Sequence, residues 1–124
     1  MIFALLVQLH PIEVHHDDCL GASAEVDSMA RRLNIAVRIH PGMDPLVRAY
    51  LSHSAVENYP PVPPVERDHA IVDYAQTFIA ALHETQPHHP FHGIWETITY
   101  ARTRNRHRVL VLPSGETRVE RAER

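Results

Sequence analysis

The sequence contains no lysine and only one cysteine, and both shortages narrow the possible classes of protein. Cys19 alone excludes an intrachain disulfide and a multi-cysteine zinc site, and it fits a reducing cytoplasm. The first seven residues are apolar, but this run is too short for a membrane span and lacks the features of a signal peptide. We therefore expect a cytoplasmic protein with no membrane partner.

All twelve basic residues are arginines, and fifteen aspartates and glutamates bring the net charge to −3. This charge gives no general attraction to nucleic acid. The arginines at 102, 104, 106 and 108 lie near a predicted helix C-terminus, where solvated cations are the ordinary explanation. With 124 residues, 44% of them hydrophobic, the chain predicts one globular domain, residues 1–124.

Strand-like and helix-like segments alternate along the chain. The predicted strands cover residues 13–16, 35–39, 77–82 and 108–112, and the predicted helices begin near 22, 66 and 94. Residues 2–9 fit a helix end or a buried strand, and 117–120 fit an edge strand or a frayed end. The helix from Glu66 is expected to bury Ala70, Ile71 and Tyr74. This order predicts an α/β fold with a Rossmann-like parallel sheet and helices on both faces, in three α/β/α layers.

The carboxyl ends of the predicted strands are the expected place for a ligand. At the first of these ends, a polar turn finishes in Gly21 and opens directly into a helix. A helix that starts in this way presents backbone N–H groups to an anion.

Four segments resemble, in the same order, motifs of small proteins of the SLOG superfamily. Residues 15–25 (HHDDCLGASAE) resemble the signature HHGDCxGADAE, and residues 37–41 (VRIHP) resemble the second strand of the family. Residues 65–73 (VERDHAIVD) resemble LERNRxIVD, and residues 93–102 (GIWETITYAR) resemble GTWxTIxYAR. The resemblance extends over roughly residues 5–118.

The resemblance implies a Rossmann-like domain that binds a nucleotide or a nucleotide-derived small molecule, without a further cofactor. Some relatives, the LOG-type enzymes, are phosphoribohydrolases of nucleoside monophosphates, and others are sensors or binding modules. Relative to the family, this chain starts inside the first helix and lacks the first strand, and Asp17 replaces a glycine. The catalytic glutamate of the hydrolases corresponds to Thr97, and Glu96 lies one position away.

We therefore expect a ligand-binding or sensor domain, assembled as a homodimer. One alternative is a LOG-like phosphoribohydrolase that uses Glu96 to cleave an N-glycosidic bond. The other is a degenerate domain that acts through protein–protein contacts.

The expected ligand site combines the turn at 17–22, Arg67 and the helix start at 93–97. Backbone amides and Arg67 would hold phosphate, while Cys19 or Trp95 would contact the base or sugar. The ligand-binding candidates are Asp18, Cys19, Gly21, Arg67, Gly93, Trp95 and Thr97.

Several candidates have a structural alternative. Asp18 fits an N-cap of the following helix better than a ligand contact, and Cys19 fits a small buried filler better than a nucleophile. Trp95 fits helix packing, Gly93 fits a simple turn, and Arg67 fits a surface arginine.

Eleven histidines raise the question of a metal site, but their spacing argues against one. His15 and His16 are adjacent, so they are expected to point to opposite faces of a strand. His88, His89 and His92 match no standard spacing of metal ligands. We expect no metal.

Overall fold

The computed structural model describes residues 2–51, 55–84 and 93–123. The chain divides into two compact units, Met1–Ile71 and Val72–Arg124, and each is described by itself. The helices are α1 (Ile2–Leu9), α2 (Ala22–Arg32), α3 (Pro64–Tyr74) and α4 (Gly93–Thr103). The strands are β1 (Glu13–His16), β2 (Ala36–Ile39), β3 (Glu57–Asn58), β4 (Thr77–Ala81), β5 (His107–Val111) and β6 (Thr117–Glu120). No helix among the described residues is long and apolar enough to cross a membrane.

The first unit contains a three-stranded parallel sheet in the order β1-β2-β3. Val14 pairs with Val37, and His16 pairs with Ile39, so these residues share one face of the sheet. Ala30 of α2 packs with Val37 and Ile39 on this face. Helix α2 is therefore fixed on the sheet by its apolar side, as the helical repeat in the sequence predicts.

The opposite face of the first sheet is polar. Arg38 donates to Glu13, with 2.7 Å between Nε and Oε2, and it also forms an ion pair with Glu57. His15 Nε2 lies 2.9 Å from Glu13 Oε1, and His15 Nδ1 lies 2.7 Å from His40 Nε2. Because His15 and His16 are neighbours on one strand, their side chains diverge as predicted.

The second unit contains the sheet β4-β5-β6, in which β4 and β5 are parallel and β5 and β6 antiparallel. Helix α4 packs against this sheet through an apolar core that also includes the end of α3. Its buried members are Val72, Phe78, Ala80, Leu82, Trp95, Ile98, Ala101 and Leu110.

The structure confirms the predicted α/β, Rossmann-like class, with helices between parallel strands in both sheets. It also resolves the two open assignments, because residues 2–9 form a helix and 117–120 form an edge strand. Helix α3 begins at Pro64 rather than Glu66, since proline lacks only an N–H that the first helical turn leaves unused. The predicted inner face of this helix is wrong at Tyr74, which is 58% exposed, whereas Arg67 and Val72 are buried.

Candidate functional site

The turn between β1 and α2 is closed by the side chain of Asp17. Its Oδ1 accepts the backbone N–H of Cys19 at 3.1 Å and also the hydroxyl of Ser23 in the first turn of α2. Gly21 is the N-cap of α2, with φ 91° and ψ −122°, a backbone conformation that residues other than glycine rarely adopt. The helix start is therefore shaped by a glycine and braced by a carboxylate.

His16 fixes the turn from below through both of its ring nitrogens. Its Nδ1 accepts the backbone N–H of Asp18 at 3.0 Å, so the ring proton lies on Nε2, which donates to Asp27 Oδ2 at 2.9 Å. Asp27 also forms an ion pair with Arg31, with 2.6 Å between Oδ1 and the guanidinium. Because both nitrogens are engaged, His16 has a structural role and has no lone pair left for general-base chemistry.

The prediction that Asp18 caps α2 is wrong. Asp18 lies in a left-handed turn with φ 58°, four residues before the start of α2, and its side chain is fully buried. Its carboxylate accepts from the Arg48 guanidinium at 3.0 and 3.1 Å and from the Leu51 backbone N–H at 2.8 Å. These bonds attach the segment at 48–51 to the turn, and they leave the Asp18 carboxylate without exposure to a ligand.

Arg67 is a charged side chain that lies at the carboxyl ends of β1 and β2. It leaves the first turn of α3, is 8% exposed, and its Nε donates to Asp68 Oδ1 at 2.8 Å. Its Nη1 lies 3.7 Å from Cys19 Sγ, just beyond β1. Its Nη2 has no hydrogen-bond partner in the part of the chain that the structure describes, and it keeps contact with solvent.

Gly42, just beyond β2, provides the space for this guanidinium. A Cβ atom added at this glycine would lie 2.6 Å from Arg67 Nη1, which is well inside a van der Waals contact. Gly42 is not among the candidates that the sequence predicts, because its role depends on the approach of a side chain from α3, 25 positions further along the chain.

Cys19 is a protonated thiol at neutral pH. Burial, followed by the negative charge of Asp17, raises its pKa to about 11, and the nearby Arg67 opposes this only in part. A thiol with this pKa is a poor nucleophile, so Cys19 fits a lining residue of the site and not a covalent catalyst.

The remaining candidates belong to the second unit. Gly93 is exposed and begins α4 with φ 59°. Trp95 is part of the apolar core, as its structural alternative predicts, but its Nε1–H lacks an acceptor among the described residues. Thr97 is buried, and its hydroxyl donates to the Gly93 carbonyl at 3.5 Å, while Glu96 is half-buried.

The arginines near the end of α4 are used within the second unit. Arg102 and Arg108 both bind Glu120 and hold the pKa of that carboxyl at about 2. Arg104 pairs with Asp73, and Arg106 donates to the carbonyl oxygens of residues 72 and 73 at the end of α3. These four arginines therefore have partners within the second unit.

His40 ends the polar face of the first sheet. Its ring stacks between those of His15 and Tyr59, with centroids 5.0 and 4.3 Å away. Burial lowers the pKa of His40 to about 4, and the neighbouring His15 and His16 act in the same direction. Across residues 2–51, 55–84 and 93–123, no three His, Cys, Asp or Glu side chains are grouped to hold a metal ion. His88, His89 and His92 lie outside the described residues.

In comparisons with protein-family models, curated proteins and solved structures, none matches this chain.

Proposed function

We propose that this protein binds a nucleotide or nucleotide-derived small molecule at the carboxyl ends of β1 and β2, where Arg67 holds a phosphate group. The observation that carries the proposal is that the Arg67 guanidinium is buried with few hydrogen-bond acceptors among the described residues. It is nine-tenths buried, yet among the described residues only its Nε reaches a carboxylate, and the one side-chain contact of Nη1 is the Cys19 thiol.

The energetics of a buried cation support a ligand at this position. A buried guanidinium with few acceptors is costly, because burial removes water from a charge that its protein partners satisfy only in part. A phosphate that accepts from Nη1 and Nη2 would supply two charge-assisted hydrogen bonds in the fork geometry that arginine prefers. The open Nη2 is the donor that such a ligand would reach first.

The surroundings of Arg67 fit the same ligand class. The first N–H groups of α2 follow Gly21 and have no partners within the helix, as at every helix start. Cys19 belongs to the same turn, and its Sγ lies 3.7 Å from Arg67 Nη1, where it would line the sugar or base. Ligands of open α/β sheets bind at strand ends of this kind. The single unpaired thiol supports the cytoplasm as the place of action, and a homodimer is part of the proposal.

We propose binding rather than glycosidic hydrolysis. The position that would carry the catalytic glutamate is Thr97, a buried side chain whose hydroxyl donates to a backbone carbonyl. Glu96 is half-buried on α4, one position away from Thr97.

Thermal shift with a panel of nucleotides tests the proposal. A ligand at one hundred times its dissociation constant adds about 2.7 kcal/mol, which raises the melting temperature by roughly 10 °C in a chain of this size. We expect Arg67→Gln to abolish the shift and Arg67→Lys to reduce it, because lysine keeps the charge but not the two-pronged geometry.

The matched control is Arg118→Gln, which removes the same charge from an exposed position on β6. This control is expected to shift like the unmodified protein. Equal shifts in Arg67→Gln and the unmodified protein would refute the role of Arg67, and the absence of any shift across the panel would refute nucleotide binding.

A further inference from the structure

Two carboxylates share the positive charge of Arg67. Asp68 accepts directly from Nε at 2.8 Å. Asp17 is linked through Cys19, whose backbone N–H bonds Asp17 Oδ1 and whose Sγ lies against Nη1. Both carboxylates favour the charged guanidinium, and both raise the pKa of Arg67 against the effect of its burial. Asp17 and Asp68 are thus two carboxylates that act on Arg67 at the proposed phosphate position.

The Asp17 carboxylate also lies at the N-terminus of α2, where the negative group of a ligand would otherwise bind. The start of a helix carries roughly half a positive charge, and it is stabilised by a nearby anion. Asp17 supplies this anion from within the chain, because its carboxylate bonds Ser23 in the first turn. An incoming group is thus attracted by Arg67 and repelled by Asp17 and Asp68. The attraction and the repulsion both grow in proportion to the charge of the incoming group, so Asp17 penalises a dianion about twice as much as a monoanion and offsets the stronger attraction by Arg67.

We infer that the phosphate held by Arg67 carries a single negative charge, as a phosphodiester does, and that Asp17 is the residue that rejects the dianion of a phosphomonoester. The inference rests on the proposed function and narrows its ligand class. It assigns Asp17 a role in specificity that is separate from its bond to the helix start.

The test compares nucleoside 3′,5′-cyclic monophosphates with the 5′-monophosphates of the same bases by isothermal titration calorimetry. For the base that the protein binds, we expect the cyclic nucleotide to bind at least about tenfold more tightly than the 5′-monophosphate at pH 7.5, because the monoester is then mostly a dianion. At pH 5.5 the monoester is mostly a monoanion, since its second pKa is about 6. Its affinity is then expected to rise several-fold.

The cyclic nucleotide is the control for the protein's own titration. Its phosphate has one charge at both pH values, so its affinity is expected to change less than about twofold. A comparable rise for both ligands would assign the pH effect to histidines of the protein and would overturn the inference.

Asp17→Asn tests the residue directly. Asparagine keeps an oxygen that can accept from Cys19 and Ser23, but it removes the charge. We expect it to increase monoester affinity about tenfold at pH 7.5, to change cyclic-nucleotide affinity less than threefold, and to remove the pH dependence. Glu66→Gln is the matched control, because it neutralises an exposed carboxylate next to Arg67 in the chain, and it is expected to change neither ligand's affinity by more than twofold.

The outcomes separate the inference from the proposed function. Monoester binding as tight as cyclic binding at pH 7.5 overturns the inference and leaves nucleotide binding intact. Failure of both ligand sets to bind, for all bases, refutes the proposed function and the inference with it. The comparison of ligands and pH values in the unmodified protein stands even if Asp17→Asn does not fold.

Discussion

The two compact units bury different kinds of side chain. Among the described residues, the buried polar and charged side chains of the first unit are His16, Asp18, Asp27, His40 and Arg67, whereas the second unit buries only Thr97. The second unit instead has the larger apolar core, in which α4 packs on its sheet. The buried apolar cluster of the first unit has three residues, Ala30 on α2 and Val37 and Ile39 on β2.

This difference indicates that the polar interior of the first unit fixes the arrangement of its side chains, whereas the apolar core of the second unit contributes more to stability. Buried charges stabilise little by themselves, because the cost of their dehydration offsets most of their attraction. They do hold neighbouring groups in one arrangement when every member is satisfied. In the first unit this applies to the Asp27–His16 pair and the Asp18–Arg48 pair, which hold the turn between β1 and α2. Arg67 is the member that remains incompletely satisfied.

The largest effect is expected in the apolar core of the second unit. Ile98 is fully buried on α4, and Ile98→Ala should reduce the free energy of unfolding by about 3 kcal/mol through lost burial and the cavity left behind. Urea unfolding followed by circular dichroism measures this loss. Val119→Ala on exposed β6 is the control and should change stability by less than about 0.5 kcal/mol. A loss below 1 kcal/mol for Ile98→Ala would remove the basis of the comparison.

A smaller loss is expected when the polar interior of the first unit is interrupted. Asp27→Asn removes the charge that binds Arg31 and weakens the bond to His16, and we expect a loss of about 2 kcal/mol because Arg31 is partly exposed. The same urea titration measures it. The control, Asp44→Asn, changes an exposed carboxylate and should be nearly neutral. Equal stability of the two variants would show that the buried pair does not hold the first unit together.

The two units should also lose stability in different ranges of pH. The pKa of His40 is lowered from 6.5 to about 4, so the unfolded chain takes up a proton more readily than the folded chain. The contribution of neutral His40 to the free energy of unfolding is therefore lost as the pH falls from about 6.5 to 4. The pKa of Glu120 is lowered from 4.5 to about 2, so the corresponding loss in the second unit runs from about pH 4.5 to 2. Each proton adds a slope of at most about 1.4 kcal/mol per pH unit.

Amide hydrogen exchange at a series of pH values resolves the two units. His40→Gln should flatten the dependence of the first unit between pH 6.5 and 4, and it should leave that of the second unit below pH 4.5 unchanged. A first-unit profile that is unaffected by His40→Gln would contradict the assignment.

The smallest effect on stability, and a selective one on binding, is expected at Gly42. A Cβ there meets only the end of the flexible Arg67 side chain, so Gly42→Ala should cost less than about 1 kcal/mol. The displaced guanidinium should nevertheless weaken nucleotide binding severalfold. In an Arg67→Lys background the same alanine should have little further effect, because lysine has no guanidinium to displace. Additive losses in the double variant would place the effect of Gly42 elsewhere.

The elements with a strong apolar pattern are those that the sequence predicts within one or two residues. Helix α2 and strands β4 and β5 belong to this group, because the spacing of their apolar residues depends only on local geometry. Strand β3 could not be predicted, since its two residues, Glu57 and Asn58, carry no apolar alternation. The single-domain and homodimer assignments stay predictions.

The partners of individual side chains were harder to predict from the sequence than the helices and strands. The partner of Asp18 is Arg48, thirty positions away, and a local rule such as helix capping cannot choose between a near amide and a distant guanidinium. The meeting of Arg67 with Cys19 was expected from the strand ends, but the support from Gly42 depends on a long-range approach of backbone and side chain.

The fixed tautomer of His16 gives this protein an internal spectroscopic reporter. Its Nε2 proton is buried and bonded to Asp27, so it exchanges slowly with water and is observable in a proton NMR spectrum. The other nitrogen of the same ring receives the N–H of Asp18, at the centre of the turn that leads to Arg67. One resonance is therefore expected to report on the order of the turn between β1 and α2, without any label, when candidate ligands are added.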